Sequence, residues 1–230
     1  MTSNKKKARI AGLLYFVVVL TGVFSLAYVP SKLIIWNNPT ATFNAIKEFE
    51  TLFRLGIVSG LICYSFFLIL PIALYKLLKP INEFYAKLMV LLAVISVPIS
   101  FVNIQNKFAV LSLINSDNPI TFTNEQLKNQ VMFYLNQYDN GILIVSIFWG
   151  LWLFPFGYLV YKSGFLPKIF GVLLMVGCIG YLINFIGNTL IPDYSAFGIS
   201  QYVSMPSALG EIGICLWLLI MGAKEKPSLV

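Results

Sequence analysis

Six apolar runs of about 20 residues, set apart by polar stretches, limit what this chain can fold into more than any other feature. They lie at roughly 10–29, 52–74, 88–105, 141–160, 170–191 and 203–221. A run of that length crosses a hydrocarbon core as an α-helix. Within lipid only helices and closed barrels satisfy every backbone donor and acceptor. The expected fold is therefore an all-α membrane protein, one domain over residues 1–230, with six transmembrane helices in one bundle. Composition agrees: 58% of residues are hydrophobic and 11% charged, with a mean hydropathy of +0.82, outside the globular norm. The first run follows Lys5, Lys6, Lys7 and Arg9, but it is too long for the apolar region of a signal peptide and no A-x-A site follows. It reads as a retained anchor helix.

Charge sets the orientation. One set of loops and ends carries Lys5, Lys6, Lys7, Arg9, Lys76, Lys79, Lys87, Lys162, Lys168, Lys224 and Lys226, and the other Lys32, Lys47, Arg54, Lys107 and Lys128. The excess on the first set predicts cytoplasmic N- and C-termini in a plasma or bacterial inner membrane. The formal charge of +7 sits beside the spans rather than on one helix or patch, so nucleic acid is not an expected partner. Cys63, Cys178 and Cys215 all fall in apolar runs and read as small packing residues.

Two outer connections carry helical signals. Asn38 before Pro39 is a cap and first-turn pair, and Phe43, Ile46, Phe49 and Phe53 follow at near-helical spacing. An amphipathic helix on the membrane surface and a lid over a pocket both fit. In the second connection Thr123 and Gln126 form a capping box, followed by Leu127, Val131, Tyr134 and Tyr138. That second amphipathic helix is expected to run into the fourth span with a bend near Asn140 and Gly141. Pro71, Pro98 and Pro155 lie inside spans and predict kinks, while Gly56 and Gly60 permit close helix approach.

The functional signal lies in the polar residues of the spans. Ser96, Ser100, Asn103 and Lys107 share one face of the third span at about 100° per residue. The fifth span offers Asn184 and Asn188, the fourth begins with Asp139, and Arg54 opens the second. Glu211 stands in the apolar run SALGEIGICLWLL, on a stripe with Ser204, Ala208 and Cys215 that should point inward. With cytoplasmic termini, the ionisable members fall in the outer half of the membrane. A charge inside a span costs about 2.5–3.5 kcal/mol on insertion scales, so it persists only when paired or hydrated. One account is a structural network in which Lys107 or Arg54 neutralises Glu211 and Asn103 and Asn184 complete the bonding. The other is a hydrated or lipid-accessible cavity with Glu211 as its recognising or proton-binding group.

Catalytic signals are sparse. The chain has no histidine, which excludes Ser-His-Asp and Cys-His nucleophile activation and histidine-bearing zinc sites. It carries no GxSxG, Walker A or GxGxxG motif. No catalytic residue, metal or cofactor is expected, although Asp139 and Glu211 are a carboxylate pair capable in principle of acid–base work.

The segments ARIAGLLY (8–15), SLAYVPSKLI (25–34), LFRLGIVSGL (52–61), VPISFVN (97–103), IFWGLWLFPFGYLVYKSGFLPKIFG (147–171) and GEIGICLWLL (210–219) resemble the bacterial membrane family catalogued as domain of unknown function 4386. The resemblance spans nearly the whole chain and implies a multi-pass membrane protein of uncharacterised activity; it transfers no catalytic residue. The favoured expectation is a non-enzymatic binder or carrier of a small solute or lipid head group, proton-linked at Glu211, with the bilayer as its surroundings and any protein partner unspecified. The alternatives are an assembly partner of another membrane protein, touching it through Phe43 to Phe53, and an intramembrane lipid-modifying enzyme.

Overall fold

The computed structural model describes residues 3–115 and 123–223. Among them there is no strand, and the helices number seven. They are α1 (Asn4–Leu33), α2 (Pro39–Glu48), α3 (Glu50–Leu78), α4 (Glu83–Ile114), α5 (Asn124–Lys162), α6 (Lys168–Leu190) and α7 (Ile199–Ile220). All but α2 are long and apolar enough to cross a membrane. The helices outrun the apolar runs at most ends because backbone hydrogen bonding continues where side chains turn polar.

Local chemistry explains the boundaries. The Asn38 Oδ1 accepts from the Ala41 N–H at 2.9 Å and Pro39 occupies the first turn of α2. At the start of α5 the Thr123 N–H donates to Gln126 Oε1 at 2.9 Å while the Gln126 N–H donates to Thr123 Oγ1 at 3.2 Å, a reciprocal capping box. The second outer-connection helix is thus the first part of α5 rather than a separate element. Helix continues without a break through Asn140 and Gly141, where a bend is expected from the sequence. Helical pattern lapses instead at Trp152: Pro155 has no N–H to offer the Leu151 carbonyl four residues back. Helices α3 and α4 continue through Pro71 and Pro98. Within α1 a π-helical turn, Phe24–Tyr28, precedes Pro30, and the wider turn accommodates a ring that would crowd the carbonyl behind it.

The chain divides into two compact units. The first comprises Met1–Val17, Phe66–Val97 and Ile144–Val230. Its centre is aromatic: Trp152 stacks on Phe156 at 5.2 Å between centroids, with Phe67 edge-on to Trp152 at 5.2 Å. Glycines draw its helices together. A Cβ on Gly12 would run into the Leu219 backbone, one on Gly180 into the Val203 carbonyl, and one on Gly177 would lie 2.7 Å from the Ser207 Cα. Such small-residue seams are how helices associate where lipid supplies no hydrophobic drive.

The second unit comprises Val18–Ser65 and Pro98–Leu143. Here Gly56 receives Val29, and Gly60 faces Ser25 and Ile104, so the glycine pair of α3 packs helices within the unit. Phe43, Ile46 and Phe53 are buried, whereas Phe49 is exposed. The reason is local: α2 ends at Glu48, and Phe49 leaves helical geometry at φ −110°, ψ 41°. Large apolar side chains such as Leu13, Leu20, Ile179, Leu190, Leu209 and Ile220 are exposed, which suits surfaces turned to acyl chains.

Candidate functional site

The polar groups of the spans fall into several clusters, some of which share helices. Glu211 lies near the middle of α7, in the first unit. Its Oε2 accepts from the Tyr15 hydroxyl at 3.0 Å, and the Tyr181 hydroxyl is a further neighbour. Both phenols are placed by the glycine seams. Gly12, one turn before Tyr15, lets α1 close on α7. Gly177 and Gly180 do the same for α6, and Gly150 leaves room for the Tyr181 side chain, whose Cβ would lie 2.5 Å from an added methyl. Tyr15 is buried against Trp152 and Phe156 at 6.2 and 6.4 Å.

The inward stripe of α7 is rotated from the expected one. Ser207, Gly210, Ile214, Cys215 and Leu218 are buried, while Ala208 is exposed and Glu211 half-buried at the stripe's edge. Gly210 and Ser207 take the centre because only small side chains fit so close an approach. At the end of α7, Arg9 donates to the Ile220 carbonyl at 3.0 Å, a cation at a helix C-terminus.

Asn184 belongs to a third grouping, also in the first unit. Its Nδ2 donates to Ser204 Oγ at 2.8 Å and its Oδ1 accepts from the Tyr194 hydroxyl at 3.2 Å, tying the end of α6 to the start of α7. Asn188 is exposed and donates to the Asn184 carbonyl at 2.8 Å. Ser96 is fully buried and donates to the Ala93 carbonyl at 2.7 Å.

In the second unit Ser100, Asn103 and Lys107 are 1%, 7% and 3% exposed. The Lys107 ammonium stands over the Tyr138 ring, 4.1 Å from its centroid, a cation–π contact. Asn103 donates to the Tyr138 carbonyl at 2.8 Å and Asn106 donates to Asn103 Oδ1 at 3.1 Å. Gly141 is needed for this arrangement, since a Cβ there would overlap the Asn103 amide. The Tyr64 hydroxyl neighbours Tyr138 and Ser100. Asp139 is exposed.

Arg54, one of the two cations offered for Glu211, pairs with Glu50 instead: Nη2 lies 2.6 Å and Nε 2.7 Å from Glu50 Oε1. Asn115 donates to the same oxygen at 3.0 Å. Glu50 escapes the charge count because it precedes the apolar run by two residues. Tyr15, Tyr181 and Tyr138 escape it because a phenol in a membrane sequence reads as apolar ring or interfacial anchor. The one available signal is that all three lie inside or adjoining the spans rather than at both ends of them.

A family model described as Domain of unknown function (DUF4386) matches residues 10–222. An uncharacterized protein of the archaeon Archaeoglobus fulgidus is 37% identical over 78 residues, which cover 34% of this chain and 44% of that protein. The match therefore spans under half of the relative's length. No solved structure matches.

Proposed function

The chain belongs to the DUF4386 family, and on that footing we propose that it binds or passes a small solute or lipid head group within the membrane, with Glu211 as the recognising and proton-exchanging residue. The observation that carries this reading is the character of the Glu211 contacts: a carboxyl inside a candidate span, hydrogen-bonded by the Tyr15 phenol with the Tyr181 phenol beside it. A carboxylate locked to a guanidinium keeps its charge through any cycle. One held by hydroxyl groups can be met in either protonation state, since a phenol donates to the charged form and can accept from the neutral one.

The assembly reading draws less support, because Phe43, Ile46 and Phe53 are covered within their own unit.

The test uses full-length protein in liposomes. Infrared difference spectra recorded across a pH step should contain a carboxyl band that vanishes in Glu211→Gln and moves in Tyr15→Phe and Tyr181→Phe. Vesicles loaded with a pH-sensitive dye should acidify faster with wild type than with Glu211→Gln. The variant should stay folded, with a stability loss below about 1 kcal/mol, because the carboxamide oxygen still accepts from Tyr15. A stable Glu211→Gln protein that matches wild type in both assays would defeat the proposal.

A further inference from the structure

The hairpin of α3 and α4 in the first unit carries an open groove of about 660 Å³, within the roughly 300–1,000 Å³ of small-molecule sites. Its surface is almost wholly apolar, formed by Ile72, Phe84, Leu91 and Val94 among others, and at the loop end Tyr75 and Lys87 line it with the apolar parts of their side chains while their polar tips form its rim. There Lys87 pairs with Glu83 at 3.1 Å, the Tyr75 hydroxyl donates to Glu83 at 3.3 Å, and the Lys79 ammonium lies 5.8 Å from the Tyr75 ring centre. Two ammonium groups against one carboxylate leave the loop end positive. From Lys87 to Val94 the groove follows α4 for about 10 Å, a depth that stays within one leaflet of a core about 30 Å thick.

We infer that this groove seats an anionic glycerophospholipid, an acyl chain lying along Ile72, Leu91 and Val94 and the phosphate at Lys79 and Lys87. A charged rim beside an apolar groove matches the order of head group and acyl chain in the lipid itself. A zwitterionic lipid could fill the apolar part equally well but would leave the excess positive charge unmet. The basic-residue excess of the loops on this side points to the cytoplasmic leaflet, the one rich in anionic lipid. The Glu211 proposal and this one rest on different residues and fail separately.

Full-length protein in mild detergent is titrated with phosphatidylglycerol or with phosphatidylcholine of identical chains, and retained lipid is counted by native mass spectrometry beside the thermal midpoint. Wild type should hold phosphatidylglycerol about tenfold more tightly, the scale expected from one to two lysines beside an anionic lipid. Lys79→Gln with Lys87→Gln should remove the preference, and the matched change of exposed Lys32 and Lys47 to Gln should keep it. Leu91→Trp, which fills the groove, should lower retention of both lipids, and Glu211→Gln should change neither. Equal binding of the two lipids by wild type would overturn the inference. So would a preference that survives loss of Lys79 and Lys87 or disappears equally in the Lys32 and Lys47 control, or retention untouched by Leu91→Trp.

Discussion

Glu211 in the first unit and Lys107 in the second are ionisable groups of opposite sign inside candidate membrane spans, and tyrosine attends both. Glu211 meets hydroxyl groups, those of Tyr15 and Tyr181; Lys107 meets a ring face, that of Tyr138. One residue type serves both because a phenol offers a polar O–H at its tip and an electron-rich face on its ring. What differs is exposure. As a residue Glu211 is half-buried, its carboxyl hydrogen-bonded, whereas the lysine is 3% exposed and held by a contact worth about 2 kcal/mol when desolvated. On the proposed reading the first arrangement tolerates a change of charge; the second holds a charge at a net cost.

That contrast can be broken from either side. The largest effect should come from Gly12→Leu, whose side chain has no space against the Leu219 backbone. Overpacking of this kind costs about 3 kcal/mol at the upper end of its usual range, and by parting α1 from α7 it should also shift the Glu211 infrared band. A thermal midpoint and band like those of wild type would show that the close approach is not what brings Tyr15 to the carboxyl. Next, Tyr138→Leu should destabilise by about 2 kcal/mol more than Tyr138→Phe, because only the latter keeps the ring under the Lys107 ammonium. Equal losses in denaturation would remove the cation–π contact from the account. The smallest effect has the opposite sign. Lys107→Met should stabilise by about 1 kcal/mol, the difference between roughly 3 kcal/mol for a lysine within a span and about 2 kcal/mol recovered from the ring. A net loss instead would mean that the ring contact outweighs desolvation.

The limits of the linear chain are clear from particular residues. The spacing of Ser96, Ser100, Asn103 and Lys107 is readable as one face of a helix, and all four are buried, because at about 100° per residue steps of three and four return side chains to the same face. The caps at Asn38 and Thr123 are equally readable, since their partners lie three residues on. The partners of the charges are not. Arg54 binds a carboxylate four residues back, Glu50, which an inventory confined to the apolar runs passes over. Tyr15 and Glu211 are 196 residues apart, and no local pattern links them. The inward stripe of α7 was misplaced for a related reason: the periodicity of Ser204, Ala208 and Cys215 is helical, but which face turns inward depends on where a neighbouring backbone comes closest.

By itself the sequence determined that this protein is helical and suited to lipid, and where its spans lie, because the need to satisfy every backbone donor in a hydrocarbon leaves a 20-residue apolar run no other form. Only the tertiary structure decided which group answers each embedded charge. Hydropathy counts how much of a side chain is apolar, whereas a contact depends on whether a phenol turns its tip or its face, and the glycines that let two helices close help to set that orientation.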